Sequence, residues 1–372
     1  MQHPASHAHF YALIMAGGGG TRLWPLSRKT TPKQLLPLVE ERSMFRVSVE
    51  RLAPLFAMDH VYVVTGRSYV DALSSDTPQI PRENFIVEPY GKESGPAAAL
   101  GIAVIQKRDP KAIVVILTAD HHIADKERFR AVLETACLIA QRKNNIVTLG
   151  ISPSIPSTGF GYIRRGQALR KTGGFNVYTS LGFTEKPNLE TAVRFLASGE
   201  YSWNSGMFIW SAAKAMAEIQ RQRPEWYALL QALHPHIDTP QYERVLDEVW
   251  EQIPKQSLDV AIMEHAQDMA VIPVDIGWSD VGSWDALFEV LELDDGGNGS
   301  KGASTNGTTP ERIIIDTQNT LVYSDKLTVT IGVQDLVIVD TPDSLLICHR
   351  ERAQDVKQVV QRLREGNYDR YL

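Results

Sequence analysis

Four consecutive glycines at positions 17–20 constrain this chain more than any other feature of its sequence. They follow a short apolar run, residues 11–15, whose composition predicts a buried parallel strand. Because glycine has no side chain, the backbone N–H groups of the run can close directly on an anion. Arg22 and Lys33 then place two cations downstream. This pattern favours a polyphosphate ligand, and a plain glycine-rich surface turn is the simpler interpretation.

The glycine run matches neither of two common phosphate-binding motifs. No Gly-Lys-Ser/Thr closes it, which excludes a Walker A loop, and Arg22 stands where a dinucleotide fingerprint needs its last glycine. Residues 17–27 resemble the signature of the sugar-phosphate nucleotidyltransferases, Gly-Gly-x-Gly-Thr-Arg-Leu-x-Pro-Leu-Ser, and residues 31–34, Thr-Pro-Lys-Gln, resemble its guanylyltransferase branch. The resemblance implies catalytic roles for Arg22 and Lys33. It implies nucleotide binding by Gly17, Gly18, Gly19, Gly20 and Thr21.

The first half of the chain alternates strand and helix patterns. Apolar runs at residues 61–65, 113–117 and 145–149 are separated by stretches with helical spacing. This alternation predicts βαβ units, and hence an α/β fold with a doubly wound, mostly parallel, Rossmann-like sheet. Ligands of such sheets bind beyond the carboxyl ends of the strands, where the glycine run and Asp120 both fall.

Two aspartates are candidate metal ligands. Asp120 follows the apolar run at 113–117, and Asp280 lies in the string Gly-Trp-Ser-Asp-Val-Gly-Ser-Trp at 277–284. An aspartate after a strand can also cap a turn, and a loop aspartate can simply be solvated. Carboxylates at the ligand end of a sheet suit Mg²⁺ held against phosphate oxygens. The resemblance implies this metal role for both residues, so Mg²⁺ is the expected cofactor.

Residues 88–97 resemble the base-recognition segment of the same family. Guanine presents two adjacent N–H donors, and the carboxylate of Glu88 supplies two matching acceptors. The alternative is that Glu88 caps a turn and that Glu93 does this job. The resemblance implies that Ser94, Gly95 and Pro96 also bind the nucleotide.

Three motifs in the middle of the chain point to a sugar phosphate. They are Thr-Gly-Phe-Gly-Tyr-Ile at 158–163, Phe-Thr-Glu-Lys-Pro at 183–187 and Trp-Asn-Ser-Gly-Met-Phe at 203–208. Glu185 can accept hydrogen bonds from sugar hydroxyls, Lys186 can pair with the phosphate, and the amide of Asn204 suits vicinal hydroxyls. Small residues such as Gly161 allow a backbone to approach a hexose.

Six motifs in one order resemble the mannose-1-phosphate guanylyltransferase family. The resemblance implies an enzyme that transfers GMP from GTP to mannose 1-phosphate, giving GDP-mannose and pyrophosphate. The implied step is a Mg-assisted in-line attack of the sugar phosphate on the α-phosphorus. The alternatives are a nucleotidyltransferase for another sugar 1-phosphate or base, and a non-catalytic regulatory relative that binds nucleotide sugars. A nicotinamide dehydrogenase fits worse, because Arg22 breaks the required fingerprint.

The polar, glycine-rich stretch 294–310 predicts a linker. It would separate a nucleotidyltransferase catalytic domain, 1–293, from a C-terminal part, 311–372. Short β-rich runs in that part lie too close together for crossover helices and predict a small β module, followed by a last helix. The resemblance implies a left-handed β-helix-like module that forms a homodimer, in a short form without the isomerase domain of longer bacterial relatives.

Composition excludes several classes of function. The formal net charge of −6 and the lack of a basic run argue against a nucleic-acid partner. No apolar segment reaches membrane length and nothing resembles a secretory signal, so we expect no membrane partner and a cytoplasmic location. Cys137 and Cys348 lie far apart, without the spacing of a zinc site or a disulfide framework.

Overall fold

The structure, a computed structural model, describes residues 7–302 and 311–372. Numbered in chain order, its strands are β1 Phe10–Met15, β2 Val61–Gly66, β3 Phe85–Glu88, β4 Ile113–Thr118, β5 His122–Ile123, β6 Ile146–Ile151, β7 Tyr162–Ala168, β8 Tyr178–Thr184, β9 Tyr201–Ser211, β10 Met269–Pro273, β11 Trp278–Ser279, β12 Gly299–Lys301, β13 Arg312–Ile315, β14 Leu321–Tyr323, β15 Thr328–Ile331, β16 Leu336–Asp340 and β17 Leu345–His349. Its α-helices are α1 Met44–Glu50, α2 Val70–Asp76, α3 Ser94–Arg108, α4 Lys126–Lys143, α5 Leu189–Ser198, α6 Ala212–Gln222, α7 Pro224–Leu233, α8 Tyr242–Gln252, α9 Leu258–Ala261 and α10 Val356–Glu365.

One nine-stranded sheet organises the first compact unit, which comprises Met1–Gly17, Val49–Ala119 and Ala124–Gly277. The strand order is β3-β2-β1-β4-β9-β6-β10-β8-β7. Pairing is parallel between β1 and both β2 and β4, between β2 and β3, and between β6 and β10. β9 runs antiparallel between β4 and β6. The predicted α/β class is therefore confirmed, with antiparallel strands added to the parallel part of the sheet.

The central strands are apolar because both faces of the sheet are covered. All six residues of β6 are buried, as are the first five of β2 and of β4. Helix α3 packs closely against β1 and β2, and this approach requires Gly101. A Cβ at Gly101 would lie 2.6 Å from a methyl carbon of Leu13 and 3.0 Å from one of Val64. The helix and the sheet are thus closely packed at this position.

The second compact unit comprises Gly18–Ser48, Asp120–Ile123 and Trp278–Leu372, and it contains most of the glycine run together with the C-terminal part of the chain. The segment that follows the glycine run and the C-terminal part of the chain share one apolar core. Leu23 and Trp24, which follow the glycine run, pack in the same cluster as Trp284 and as residues of the C-terminal strands and helix. The other buried members of this cluster are Leu36, Leu38, Met44, Val281, Leu287, Phe288, Leu321, Tyr323, Val337, Val339, Leu346, Ala353, Val356 and Val360.

Two tryptophan hydrogen bonds also connect these segments. The indole N–H of Trp284 donates to the carbonyl of Trp24 at 3.0 Å, and that of Trp24 donates to the carbonyl of Tyr371 at 2.8 Å. The compact units therefore divide the chain differently from the predicted domains 1–293 and 311–372. Packing of the glycine-run segment with the C-terminal part is the physical reason. The predicted boundaries say which parts of the chain would fold independently, and that remains a prediction.

The C-terminal module stacks short strands in parallel. β12, β14 and β16 pair in parallel, β13 pairs in parallel with β15, and β17 runs antiparallel to β16. Part of the predicted linker is structured, since β12 lies within it, and its residues 303–310 lie outside the described part of the chain. Asn298 explains the difference, because its buried amide donates to the carbonyl of Thr317 at 2.9 Å and fixes the stretch before β12.

Helix α1 begins after Ser43, whose hydroxyl accepts from the N–H of Arg46 at 2.9 Å. The predicted last helix is confirmed as α10. Within residues 7–302 and 311–372, no helix combines the length and the apolar character needed to cross a bilayer.

Candidate active site

The glycine run bends in a way that requires glycine at two positions. Gly18 has φ = +100° and Gly20 has φ = +58°, in the region that residues with a side chain rarely adopt. The carbonyl of Gly20 accepts from the N–H of Leu23 at 2.9 Å and from the hydroxyl of Ser27 at 2.7 Å. A Cβ at Gly20 would overlap the Cβ of Lys33. The run is therefore anchored by a short turn and lies directly against Lys33.

Lys33 is a fixed cation. Its side chain is 8% exposed, and Nζ donates to Oδ2 of Asp120 at 2.7 Å and to the backbone carbonyl of Asp280 at 2.6 Å. Burial raises the pKa of the Asp120 carboxyl, but the charge of Lys33 and that of His121 outweigh burial and hold this pKa below its usual range. Asp120 is therefore ionised at neutral pH.

Asp280 is held by an unusual local backbone. It follows β11, which pairs antiparallel with β5, and its Oδ1 accepts from the N–H of Gly282 at 3.1 Å. A Cβ at Gly282 would come within 2.6 Å of the other carboxylate oxygen. The next residue, Val281, is buried with φ = +43°, which is rare for a β-branched side chain. The sequence around Asp280 thus positions both its carboxylate and its carbonyl.

These groups line one cavity of about 350 Å³ in the second unit. Among the residues predicted from the sequence, Gly20, Thr21, Arg22, Lys33, Asp120 and Asp280 line it. His121, Gly282 and Lys357 also line it and were not predicted as site residues. Gly282 belongs to the same motif as Asp280, whereas nothing in the helical pattern of residues 356–363 indicated Lys357. The cavity joins three cationic side chains with two carboxylates.

Glu88 lies in the first unit at the end of β3. It is 7% exposed, its Oε2 has no hydrogen-bond partner among the described residues, and burial raises the pKa of its carboxyl to about 7. Its Oε1 lies 3.6 Å from where a Cβ of Gly17 would stand. A buried carboxyl with an open acceptor is suited to bind an external N–H donor.

Hydrogen bonds connect residues 92–95, which follow Glu88, to residues 250–258; we call this set of contacts the clamp. Lys92 is buried, and its Nζ donates to the carbonyls of Trp250, Glu251 and Ile253 at the C-terminal end of α8. The N–H of Gly95 donates to the carbonyl of Gln256 at 3.0 Å.

Two predicted nucleotide-binding positions, Ser94 and Gly95, have polar groups engaged in this clamp. The Ser94 hydroxyl accepts from the N–H of Leu258 at 2.9 Å. Helix α3 begins at Ser94, two residues before Pro96, because this clamp fixes the earlier turn.

The predicted sugar-side residues come together in the first unit. The N–H of Asn204 donates to the carbonyl of Gly161 at 2.8 Å, and a Cβ at Gly161 would overlap Oε2 of Glu185. That Oε2 is buried without a hydrogen-bond partner among the described residues, and Oε1 of Glu185 pairs with Nζ of Lys186. Glu185 therefore keeps a free acceptor beside Asn204.

Asp259 is a residue of this group that was not predicted. Its Oδ1 accepts from Nδ2 of Asn204 at 2.8 Å, while Oδ1 of Asn204 accepts from the N–H of Gly206 at 3.0 Å. The orientation of the Asn204 amide is thereby fixed. Burial, and then the charge of Glu185, raise the pKa of Asp259 to about 6. No sequence motif pointed to Asp259, which lies in the short helix α9.

A family profile described as Nucleotidyl transferase matches residues 11–295, and one described as MannoseP isomerase/GMP-like beta-helix domain matches residues 310–363. The chain therefore belongs to the nucleotidyl transferase family. The second match confirms the predicted β-helix-like character of the C-terminal module.

Particular relatives agree with this family. Mannose-1-phosphate guanylyltransferase of Escherichia coli (strain K12) is 37% identical over 371 residues, covering 98% of this chain and 76% of that protein. Xanthan biosynthesis protein XanB of Xanthomonas campestris pv. campestris (strain B100) is 36% identical, covering 95% of this chain and 73% of that protein. The crystal structure of mannose-1-phosphate geranyltransferase from Thermus thermophilus aligns with a TM-score of 0.85 and 33% identity, over 96% of this chain and 99% of that one. The predicted resemblance to the mannose-1-phosphate guanylyltransferases is confirmed.

The contact between Gly20 and Lys33 predicts that Gly20→Ala destabilises the fold. The left-handed conformation costs a residue with a Cβ about 1–2 kcal/mol, and the overlap with Lys33 adds to that cost. Gly19→Ala is the matched control, because Gly19 has no heavy atom within 4 Å of its added Cβ and no positive φ. Urea unfolding of both variants measures the difference. Equal midpoints for Gly20→Ala and Gly19→Ala would contradict this account of the turn.

Proposed function

We propose that the protein transfers GMP from GTP to mannose 1-phosphate, forming GDP-mannose and releasing pyrophosphate. The observation that carries this proposal is the cavity in which Arg22, Lys33, Asp120 and Asp280 meet beside the glycine run. This combination of fixed cations, backbone N–H groups and carboxylates suits a polyphosphate. Membership of the nucleotidyl transferase family and the similarity to guanylyltransferases support the choice of reaction and of substrates.

The proposed chemistry is an in-line displacement at the α-phosphorus. An oxygen of the sugar phosphate forms a bond to this phosphorus, and the bond to the β-phosphate oxygen breaks with its electron pair leaving on pyrophosphate. No general base is required, since a phosphate monoester with a second pKa near ~6 is mostly dianionic at neutral pH. The protein brings two anions together and stabilises the charge that moves to the leaving group.

Each charged group of the cavity has a proposed task. The N–H groups of the glycine run, Gly17 to Gly20, with Thr21 and the guanidinium of Arg22, hold the leaving pyrophosphate. The ammonium of Lys33 acts on the transferring phosphoryl group. Its position is already fixed by Asp120 and the carbonyl of Asp280, so little reorganisation is needed during the reaction.

Asp120 and Asp280 are the residues that would hold a Mg²⁺ ion in this cavity. Both carboxylates line the cavity, and Asp120 is ionised. Among the described residues no group of three or more His, Cys, Asp or Glu side chains could hold a metal by itself. Mg²⁺ commonly binds through one or two carboxylates plus phosphate oxygens, so two carboxylates are sufficient here. When bound, the ion would neutralise phosphate charge during the displacement.

We assign guanine recognition to Glu88 and sugar recognition to the group around Asn204. Glu88 offers a buried carboxyl whose Oε2 has no partner among the described residues, which suits the paired donors of guanine. The backbone of Ser94, Gly95 and Pro96 walls the base. On the sugar side, the open Oε2 of Glu185 accepts from a hydroxyl and Lys186 pairs with the sugar phosphate, beside Gly161 and Asn204.

A homodimer through the C-terminal module is part of the proposal. Ile313 and Ile315 of β13 are 47% and 46% exposed, and their partners on β15, Val329 and Ile331, are 48% and 62% exposed. Four apolar side chains in register form an exposed face of the kind that binds another protein surface. Equilibrium sedimentation that shows only monomer at every concentration would contradict this assignment. The expected cytoplasmic location stays a prediction.

A substrate panel tests the proposed function. The purified protein is given ATP, GTP, CTP or UTP with mannose, glucose or another sugar 1-phosphate, and pyrophosphate release is measured with Mg²⁺ and with excess chelator. We expect the highest kcat/KM for GTP with mannose 1-phosphate, and no turnover in chelator. Faster turnover of another pair would establish the alternative substrate, and no turnover with any pair would favour a non-catalytic binding protein. Full turnover in chelator would contradict the metal assignment.

Glu88→Gln should lower kcat/KM for GTP and reduce the preference for GTP over UTP. The amide leaves one guanine donor unmatched, which costs about 1–3 kcal/mol. In the unmodified protein kcat/KM for GTP should rise as the pH passes through about 7, because only the ionised Glu88 accepts both donors.

Glu88→Gln should lose this rise. Because GTP itself titrates equally in both measurements, subtracting one pH profile from the other leaves the contribution of Glu88. Glu93→Gln is the control, since Glu93 is exposed and paired with Lys255. An unchanged GTP-to-UTP ratio in Glu88→Gln would move guanine recognition elsewhere.

A further inference from the structure

The C-terminal helix α10 is fixed against the segment that follows the glycine run. Val356 and Val360, on one face of α10, are buried in the core that also contains Leu23 and Trp24. Helix α10 contacts the short 3-10 turn Thr21–Leu23, which carries Arg22. The buried apolar residues of α10 and of the segment after the glycine run pack together in one core. The backbone of the residue next to Val356 therefore has a defined position relative to that of Arg22.

That residue is Lys357, and its side chain lines the cavity with Gly20, Thr21 and Arg22. Lys357 is exposed, and it has no hydrogen bond or ion pair with any other residue in the described part of the chain. Arg22 is in the same state, whereas the ammonium of Lys33 is engaged by Asp120 and by the carbonyl of Asp280. The cavity therefore presents two cations that are available to an incoming anion.

We propose that Lys357 binds the leaving pyrophosphate and, with Arg22, sets the affinity of the site for it. The assignment rests on the proposed function, since it names the group that a further cation would contact. Lys33 is committed beside the carboxylates of Asp120 and Asp280. Arg22 and Lys357 line the cavity together with Gly20, the last residue of the glycine run, whose N–H groups are suited to phosphate oxygens.

Charge balance supports a second cation at this place. Pyrophosphate carries several negative charges at neutral pH, and one guanidinium neutralises only one of them. A lysine ammonium is a compact point charge that can meet phosphate oxygens without a fixed geometry, and it complements the planar fork of Arg22. The displacement concentrates negative charge on the leaving group, so a cation placed there also favours the forward step.

The assignment gives the C-terminal part a direct role in catalysis. Lys357 belongs to the region 311–372, for which the sequence predicts only a β module, a last helix and self-association. In the structure, this helix completes the cation set of the phosphate cavity. Activity should therefore depend on α10 through the side chain of Lys357, whether or not the protein forms a dimer.

Isothermal titration of the full chain with pyrophosphate tests the assignment. We expect Lys357→Ala to raise the Kd for pyrophosphate about tenfold, the loss of one charge-assisted contact, and Lys357→Arg to recover most of the affinity. Arg364→Ala is the matched control, because Arg364 is an exposed cation of the same helix that does not line the cavity, and its Kd should not change. Lys357→Gln repeats the measurement with a side chain of similar length, should alanine disturb the helix.

Two further readouts separate the assignment from a structural effect. The KM for pyrophosphate in the reverse reaction should rise in Lys357→Ala, while the Kd for GDP-mannose, which lacks the leaving group, should not change. Unchanged pyrophosphate affinity in both Lys357→Ala and Lys357→Gln would overturn the assignment, as would an equal loss in Arg364→Ala. If the unmodified protein binds pyrophosphate but makes no GDP-mannose, the proposed function fails, while the titration still decides whether Lys357 binds this anion.

Discussion

The ammonium of Lys33 is the contact on which the candidate site of the second unit depends. It joins three chain segments that are distant in sequence, since it donates to the Asp120 carboxylate and to the Asp280 carbonyl and packs against Gly20. A mostly buried cation is stable only with such partners, and Asp120 likewise needs a nearby positive charge to stay ionised. The glycine at position 20 follows from the same contact, because a side chain there would displace Lys33.

Local backbone strain accompanies this arrangement. Val281, next to Asp280, has φ = +43°, Glu93 in the base segment has φ = +69°, and Lys186 on the sugar side has φ = +45°. Each costs about 1–3 kcal/mol, which the surrounding packing must offset. For Val281 that packing is visible: Val281 and Trp284 are fully buried in the core that includes the C-terminal module. The C-terminal part therefore supports the site as well as contributing Lys357 to it.

Much of the site could be predicted because its residues lie in short, specific motifs. Gly20, Arg22, Lys33, Asp120 and Asp280 line one cavity. The glycine run and Asp120 were expected at the carboxyl ends of strands, where ligands of such sheets bind. Asp259 and Lys357 could not be predicted, since each sits in an ordinary helical pattern and gains its meaning only from distant partners. The division of the chain into its two compact units could not be predicted from the sequence either. The polar composition of 294–310 indicates a boundary, but it cannot show that Trp24 and Trp284 are in contact. The antiparallel insertion of β9 between β4 and β6 depends on long-range pairing in the same way.

If the fixed charge of Lys33 acts on the transferring phosphoryl group, its removal in Lys33→Met should lower kcat. Methionine keeps the length and most of the volume of the side chain, so the circular dichroism spectrum should remain native. We expect kcat for GTP and mannose 1-phosphate to fall by at least ~100-fold, because a group that acts on developing charge is removed. A native fold with kcat within about threefold of the unmodified protein, far from the ~100-fold scale of such groups, would show that Lys33 does not act on the transferring group.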